Sequence, residues 1–331
     1  MRAVLCDHWG APRDLRVSEV EQPTPGTGQV RVAVRAAGLN FADTLMIAGK
    51  YQEKPPFPFA PGLEAAGIID ALGPGVENLK VGTRVLALAN HGAFAESLVT
   101  GASDVFAIPD SMDFAAAAGF PITYGTAHGA LIWRANLKPG EVLLVHGAAG
   151  GAGLAAVEVG KALGATVIAT ARGANKLEVA RAHGADYTID TGGDSTGEDL
   201  RERVKSLTQG RGVDVVFDPV GGAMFDASLR CVAWGARLLV IGFAAGAVPQ
   251  IPANILLVKN ISAVGLYWGG YRQHAPDLLR AQFADLFAWF EAGKLKPHVS
   301  HSFPLDQAVE ALELLTSRQS TGKVVLTIGA D

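Results

Sequence analysis

Short apolar runs separated by glycine and proline dominate the first third of the chain. Residues 2–5, 29–36, 65–72, 84–87 and 93–99 are rich in aliphatic side chains, with Pro23, Pro25, Gly26 and Gly28 marking one loop and Gly73-Pro74-Gly75 another. Runs bounded in this way predict strands, and no helical period alternates with them. From about Glu141 the pattern changes. Residues 142–145 predict a strand, 154–163 a helix, 166–171 a strand, 175–183 a helix and 187–189 a strand. The alternation continues through a helix at 198–207, a strand at 213–217, a helix at 224–232, and strands at 237–241 and 261–266. Strands that are apolar throughout, each followed by a helix, belong to a parallel sheet covered on both faces. Residues 276–292 and 304–315 then predict two helices before a closing strand at 324–328.

The expected fold class is therefore α/β, a Rossmann doubly wound parallel sheet joined to a β-rich domain. A chain of 331 residues, 49% of them hydrophobic, is long enough for two such cores. The formal net charge of -4, from 28 basic and 32 acidic residues, leaves no basic stripe for a phosphate backbone. Small molecules rather than nucleic acid are the expected partners. Cys6 and Cys231 lie far apart in apolar surroundings and read as inert thiols. The N-terminal stretch meets Asp7 before an apolar run can develop, which favours the cytoplasm. The uncharged run 238–258 is broken by Pro249, Gln250, Pro252 and Asn254 and reads as a strand followed by a loop, not as a membrane span.

The candidate chemistry begins at His146-Gly147-Ala148-Ala149-Gly150-Gly151-Ala152-Gly153, between a predicted strand and a predicted helix. Glycines at 150 and 153 let backbone approach a pyrophosphate and let helix pack on strand, and the helix start supplies N–H groups and positive dipole. Ala148 stands where the usual fingerprint has its first glycine. At the end of the next strand an NAD site carries an acid for the ribose 2'-hydroxyl, but here Thr170-Ala171-Arg172-Gly173-Ala174-Asn175-Lys176 offers a hydroxyl, a guanidinium and an ammonium. Charge-assisted bonds from such groups to a 2'-phosphate favour NADPH.

Several motifs resemble the medium-chain dehydrogenase/reductases, and within them the quinone oxidoreductase and zeta-crystallin-like branch. They are Ala36-Ala37-Gly38-Leu39-Asn40-Phe41-Ala42-Asp43-Thr44, Gly49-Lys50-Tyr51, Pro61-Gly62-Leu63-Glu64-Ala65-Ala66-Gly67, Thr123-Tyr124-Gly125-Thr126-Ala127, the glycine loop, and Lys161-Ala162-Leu163-Gly164-Ala165. The resemblance implies a GroES-like catalytic and substrate domain over 1–124 and 267–331, with the NADPH-binding domain over 125–266. Where zinc-dependent relatives hold a catalytic metal, this chain has Asn40, Leu63 and Ala118, and 87–99 lacks the cysteines of a structural zinc lobe. No metal is expected.

Without a Lewis acid the expected acceptor is one that takes hydride readily, a quinone or an enone or other electron-poor alkene. The resemblance implies that the nicotinamide lies in an interdomain cleft, that Asn40 and Tyr51 hydrogen-bond the developing oxygen, and that Leu63, Thr123 and Trp268 line the acceptor pocket. It places the cofactor on Ala149, Gly150, Gly151, Ala152, Gly153, Thr170, Arg172, Lys176, Thr191, Pro219, Gly242, Phe243, Ala244 and Arg318. At Thr191 family members often carry an aromatic or a histidine near the 2'-phosphate, so Arg172 is expected to compensate. Trp268 can equally be interior packing. Two other readings are an enoyl-thioester reductase, for which Arg272 and His274 are too little basic surface, and a non-catalytic NADPH-binding crystallin-like or RNA-binding protein. A homodimer is expected through the sheet-edge strand 261–266.

Overall fold

The structure, a computed structural model, describes residues 1–192 and 197–329. Those residues divide into two compact units, one within Met1–Pro121 and Pro297–Asp331, the other within Ile122–Lys296.

The first unit opens with an antiparallel pair, β1 (Arg2–Leu5) and β2 (Arg16–Glu19). Then come β3 (Gln29–Gly38), α1 (Phe41–Ile47), β4 (Glu64–Leu72), β5 (Arg84–Leu88), β6 (Ser97–Gly101), β7 (Val105–Ala107) and α2 (Phe114–Gly119). β3 shows why a strand forms here: Val30, Val32, Val34 and Ala36 fall on one face of the pleat and are buried, with half-buried residues between them.

α3 (Pro121–His128) leads into the second unit and continues as a π-helical stretch, Gly129–Arg134. The order is then β8 (Val142–Val145), α4 (Gly151–Ala162), β9 (Thr166–Ala171), α5 (Ala174–Ala182), β10 (Tyr187–Asp190), α6 (Gly197–Leu207), β11 (Val213–Asp218), α7 (Ala223–Ser228), β12 (Val232–Val240), α8 (Ala253–Lys259) and β13 (Ser262–Gly265). All pairings are parallel, in the order β10-β9-β8-β11-β12-β13. The order reverses direction between β8 and β11, and in such sheets ligands sit at the carboxyl ends of the strands at that switch point. α9 (Tyr271–His274) and α10 (Pro276–Glu291) close the unit.

The chain then returns to the first unit through β14 (Val299–Pro304), α11 (Ala308–Thr316) and β15 (Lys323–Thr327). Its larger sheet runs β14-β15-β3-β4-β5-β7, with β6 also on β3. β15 is antiparallel to β3, with Val325 opposite Gly38.

The compact units divide the chain at other residues than the expected domains do. The first unit ends at residue 121 rather than 124, and the return comes at 297 rather than 267. The reason is α10, whose Gln282 side chain donates to Gly125 O at 2.9 Å and whose Phe283 meets Trp268 edge-on at 6.3 Å. These contacts bind 267–291 to α3, so both Thr123 and Trp268 belong to the second unit. Lys296 N–H donating to Glu158 Oε2 at 2.8 Å fixes that unit's last residue. Elsewhere, the helix expected over 224–232 ends at Ser228, and residue 232 already starts β12. Pro252 does not merely break the run 238–258 but precedes α8, since proline is tolerated at a helix start.

Candidate functional site

In the second unit the expected cofactor residues of that unit gather at the carboxyl ends of the sheet's strands. β8 ends in the glycine loop, β9 in Arg172, β10 in Thr191, β11 in Pro219, and β12 in the Gly242-Phe243-Ala244 segment. The last two segments are tied together, with Ala244 N–H donating to Pro219 O at 3.1 Å. Lys176 is half-buried in the first turn of α5, beyond the exposed Arg172.

Two glycines of the loop have different causes. A Cβ on Gly153 would lie 2.2 Å from Gly147 O, so the crossing of α4 over the loop forbids any side chain there. A Cβ on Gly150 would meet only Gly147 O at an ordinary 3.4 Å, and its φ of -84° suits any residue. The fold does not need glycine at 150. A side chain there would instead fill the space before the first turn of α4, whose N–H groups at Gly151, Ala152 and Gly153 no helical carbonyl can satisfy. That open cradle fits the pyrophosphate of a dinucleotide, and the buried Ala149 directly precedes it in the chain.

Under the loop sits a residue without an expected role. His146 is fully buried, its Nδ1 3.0 Å from Thr170 Oγ1 and its Nε2 2.7 Å from Ser228 Oγ. Ser228 O–H donates to Met224 O at 2.8 Å, so Ser228 accepts from His146 Nε2–H and Thr170 O–H donates to Nδ1. Burial pushes the His146 pKa below its ordinary value, keeping the ring neutral. The Thr170 hydroxyl, expected at the cofactor, is buried and bonded to His146. Thr170 instead holds the loop, its carbonyl accepting from Ala148 N–H at 2.9 Å.

In the same unit Trp268 is buried and its indole N–H donates to Gln282 Oε1 at 2.9 Å. Its polar atom therefore serves the unit's own packing. Gln282 also contacts His128 Nδ1 at 3.1 Å. His128 stands between Trp133 and Trp289, and burial pushes its pKa down to about 4. Thr123 is buried in α3.

In the first unit, Asn40 directly precedes α1, and its backbone N–H donates to Asp43 Oδ2 at 2.7 Å. Its side chain enters a network that sequence reading missed. Asn40 Nδ2 donates to Glu64 Oε1 at 2.7 Å, and Lys323 Nζ donates to Glu64 Oε1 at 2.7 Å, to Asn40 Oδ1 at 3.0 Å and to Leu39 O at 2.6 Å. Glu64 is fully buried and Lys323 nearly so. Asp43 is also fully buried, and desolvation pushes its pKa up to about 7. Tyr51 lies half-buried in the loop after α1, Leu63 is buried just before β4, and Arg318 is exposed in the turn after α11 with φ +58°. Glu64 and Asp43 lay inside motifs singled out above. Lys323 had no signal beyond a lysine opening an apolar strand.

Residues 26–110 match the family described as alcohol dehydrogenase GroES-like domain, and residues 151–285 the one described as zinc-binding dehydrogenase. Over 328 residues the chain is 45% identical to the quinone oxidoreductase-like protein 2 homolog of Nematostella vectensis, covering 98% of this chain and 88% of that protein. The chain belongs to the quinone oxidoreductase family of the medium-chain dehydrogenase/reductases. The quinone oxidoreductase of Pseudomonas aeruginosa is 36% identical over 96% of this chain and 97% of its own. Among solved structures, the quinone oxidoreductase of Escherichia coli complexed with NADPH superimposes with a TM-score of 0.91 at 31% identity, covering 99% of this chain and all of the other. For this family member the zinc named in one domain description does not fit the residues present. Leu63 and Ala118 offer no ligand atom, the Asn40 amide is already bonded, and the Lys323 ammonium already supplies a cation to Glu64. Among the described residues no cluster of three His, Cys, Asp or Glu could hold a metal ion, and no helix is long and apolar enough to cross a membrane.

Proposed function

We propose that this protein is an NADPH-dependent quinone oxidoreductase that works without zinc. The reading is carried by one observation: a glycine cradle at the switch point of the sheet, followed by Arg172 and Lys176 where an NAD site has an acid. It is supported by family membership and by the NADPH in the Escherichia coli relative. When bound, NADPH supplies a hydride and leaves as NADP+, while the acceptor, a quinone or an electron-poor alkene, takes up a proton as well. Ala149, Gly150, Gly151, Ala152 and Gly153 hold the pyrophosphate, and Arg172 and Lys176 hold the 2'-phosphate, with Thr191, Pro219, Gly242, Phe243, Ala244 and Arg318 as further contacts. Asn40 donates from its amide to the acceptor oxygen as negative charge develops there, and Tyr51 assists. Leu63 and Thr123 supply apolar and small polar lining.

We also propose a cytoplasmic homodimer. β13 is an edge strand, and Trp234, Val248, Leu257 and Val258 on the neighbouring β12, its following loop and α8 are exposed, at 75%, 63%, 81% and 71%. Sedimentation showing a monomer at micromolar concentration would overturn this.

The reaction itself is tested by mixing the protein with NADPH or NADH and a soluble 1,4-benzoquinone and following loss of reduced-cofactor absorbance. Quinone-dependent consumption with a preference for NADPH is expected. Tight NADPH binding with no turnover on quinones or enones would overturn the proposed reaction.

A further inference from the structure

We propose that the buried pair Glu64 and Lys323 acts on the reaction as a positioning device, locking the Asn40 side chain so that its outward-facing atom is a hydrogen-bond donor. The inference rests on the reading of Asn40 as the group that meets the acceptor oxygen.

An asparagine amide has two nearly isosteric ends, and which one faces a ligand decides whether it donates or accepts. Here the choice is forced. Asn40 Oδ1 accepts from Lys323 Nζ at 3.0 Å while Asn40 Nδ2 donates to Glu64 Oε1 at 2.7 Å. Rotating the amide by half a turn would set its NH2 group against an ammonium and its oxygen against a carboxylate, both buried. Two like contacts in place of two favourable ones, in surroundings that screen poorly, exclude the rotated state.

The lysine is suited to this role and to little else. Its ammonium has three hydrogens and three acceptors, Leu39 O, Asn40 Oδ1 and Glu64 Oε1, all within 3.0 Å. It has no hydrogen left for an acceptor molecule. The amide differs: Asn40 is only half-buried, and one Nδ2 hydrogen makes no bond among the described residues. The result is a single rigid N–H, held at its base by an ion pair, on a side chain that cannot present oxygen. Such a donor suits an oxygen that gains negative charge and repels a cationic or donor group.

A buried ion pair could instead serve stability alone, and the two roles are separable. Removing one partner leaves a buried unpaired charge and destabilises, whereas replacing both by apolar residues is often neutral. A structural role predicts that activity follows stability in both cases. A positioning role predicts that the doubly apolar variant is folded and slow.

The test compares Asn40→Ala, Lys323→Met and the double variant Glu64→Leu with Lys323→Met in the full-length protein. Its readouts are thermal midpoint, NADPH affinity by fluorescence, and kcat with NADPH and a 1,4-benzoquinone. The expected result is a kcat reduced about 10- to 100-fold in Asn40→Ala, a reduced midpoint and kcat in Lys323→Met, and a restored midpoint with kcat still reduced in the double variant, NADPH affinity being unchanged throughout. Adding Asn40→Ala to the double variant should lower kcat little further, because both act through one contact. Parental kcat in the double variant, with Asn40→Ala impaired, would overturn the positioning role and leave the Asn40 reading standing. Parental kcat in Asn40→Ala would overturn both. Should the double variant fail to fold, Glu64→Gln keeps the volume and removes the charge that bars the rotated amide. Reduced kcat at a near-parental midpoint supports the device, and parental kcat sinks it.

Discussion

The indole of Trp268 occupies the volume that a side chain at residue 125 would need: a Cβ on Gly125 would lie 2.3 Å from Trp268 Cζ2. Because Trp268 is also tethered through its N–H to Gln282, it cannot withdraw without leaving a buried donor unpaired. Gly125→Ala is therefore expected to destabilise by about 1–3 kcal/mol through overpacking, read as a lower thermal midpoint with Trp268 fluorescence altered. An unchanged midpoint and emission would show that the indole has room to move.

Arg172 is exposed at the end of β9 beside Gly173, whose N–H is held by Asp190 Oδ1 at 3.0 Å. Since that backbone bond does not involve the Arg172 side chain, Arg172→Asp should leave the fold intact while repelling a 2'-phosphate. The KM for NADPH is expected to rise at least about 10-fold with NADH use gained, and steady-state kinetics with both cofactors decides it.

Two buried groups titrate in opposite senses. His128 has its pKa pushed down to about 4 in the folded protein, so between about 4 and its ordinary 6.5 the unfolded chain binds more protons, and the stability it contributes above 6.5 is lost as pH falls. Asp43 has its pKa pushed from 3.8 up to about 7, so its contribution is full below 3.8 and lost as pH rises through 7. Denaturant titrations across pH 4–7 should show His128→Gln less destabilised by acid than the parent. Asp43→Asn should show the reverse, a weaker loss toward neutral pH. Parallel pH curves for parent and variants would refute the assignment.

His146 depends on Ser228 for the acceptor of its Nε2–H. Ser228→Ala leaves that buried donor unpaired and should cost about 1–3 kcal/mol, with weakened NADPH affinity because the ring also orders Thr170 beneath the glycine loop. Calorimetry and cofactor titration on the same variant test both halves.

Much of this was legible in the chain itself, because the helix-strand alternation after residue 141 is a local signal that tertiary packing reinforces. β9 lies where its apolar run predicts, at Thr166–Ala171. The first unit was harder. β2 is largely exposed and β7 has only three residues, too short for a period to appear, while α1 is hidden because its seven residues read as part of a loop motif. The glycine loop and Arg172 could be picked out because their residue types are unusual for their local setting, and Asn40 through the motif that resembles the family. Lys323 and His146 could not, since their meaning comes from partners 259 and 82 residues away, Glu64 and Ser228. A one-dimensional pattern carries period and turn chemistry but not which strand edge meets which.

The first unit is built from both ends of the chain, whereas the second is contiguous. During synthesis the parallel sheet is thus complete once Lys296 has emerged, while β3 still lacks β15 and Asn40 still lacks its ammonium. The ribosome therefore delivers every strand of the parallel sheet before the lysine that fixes the amide, and the network around Asn40 closes only when the two distant stretches of its unit meet.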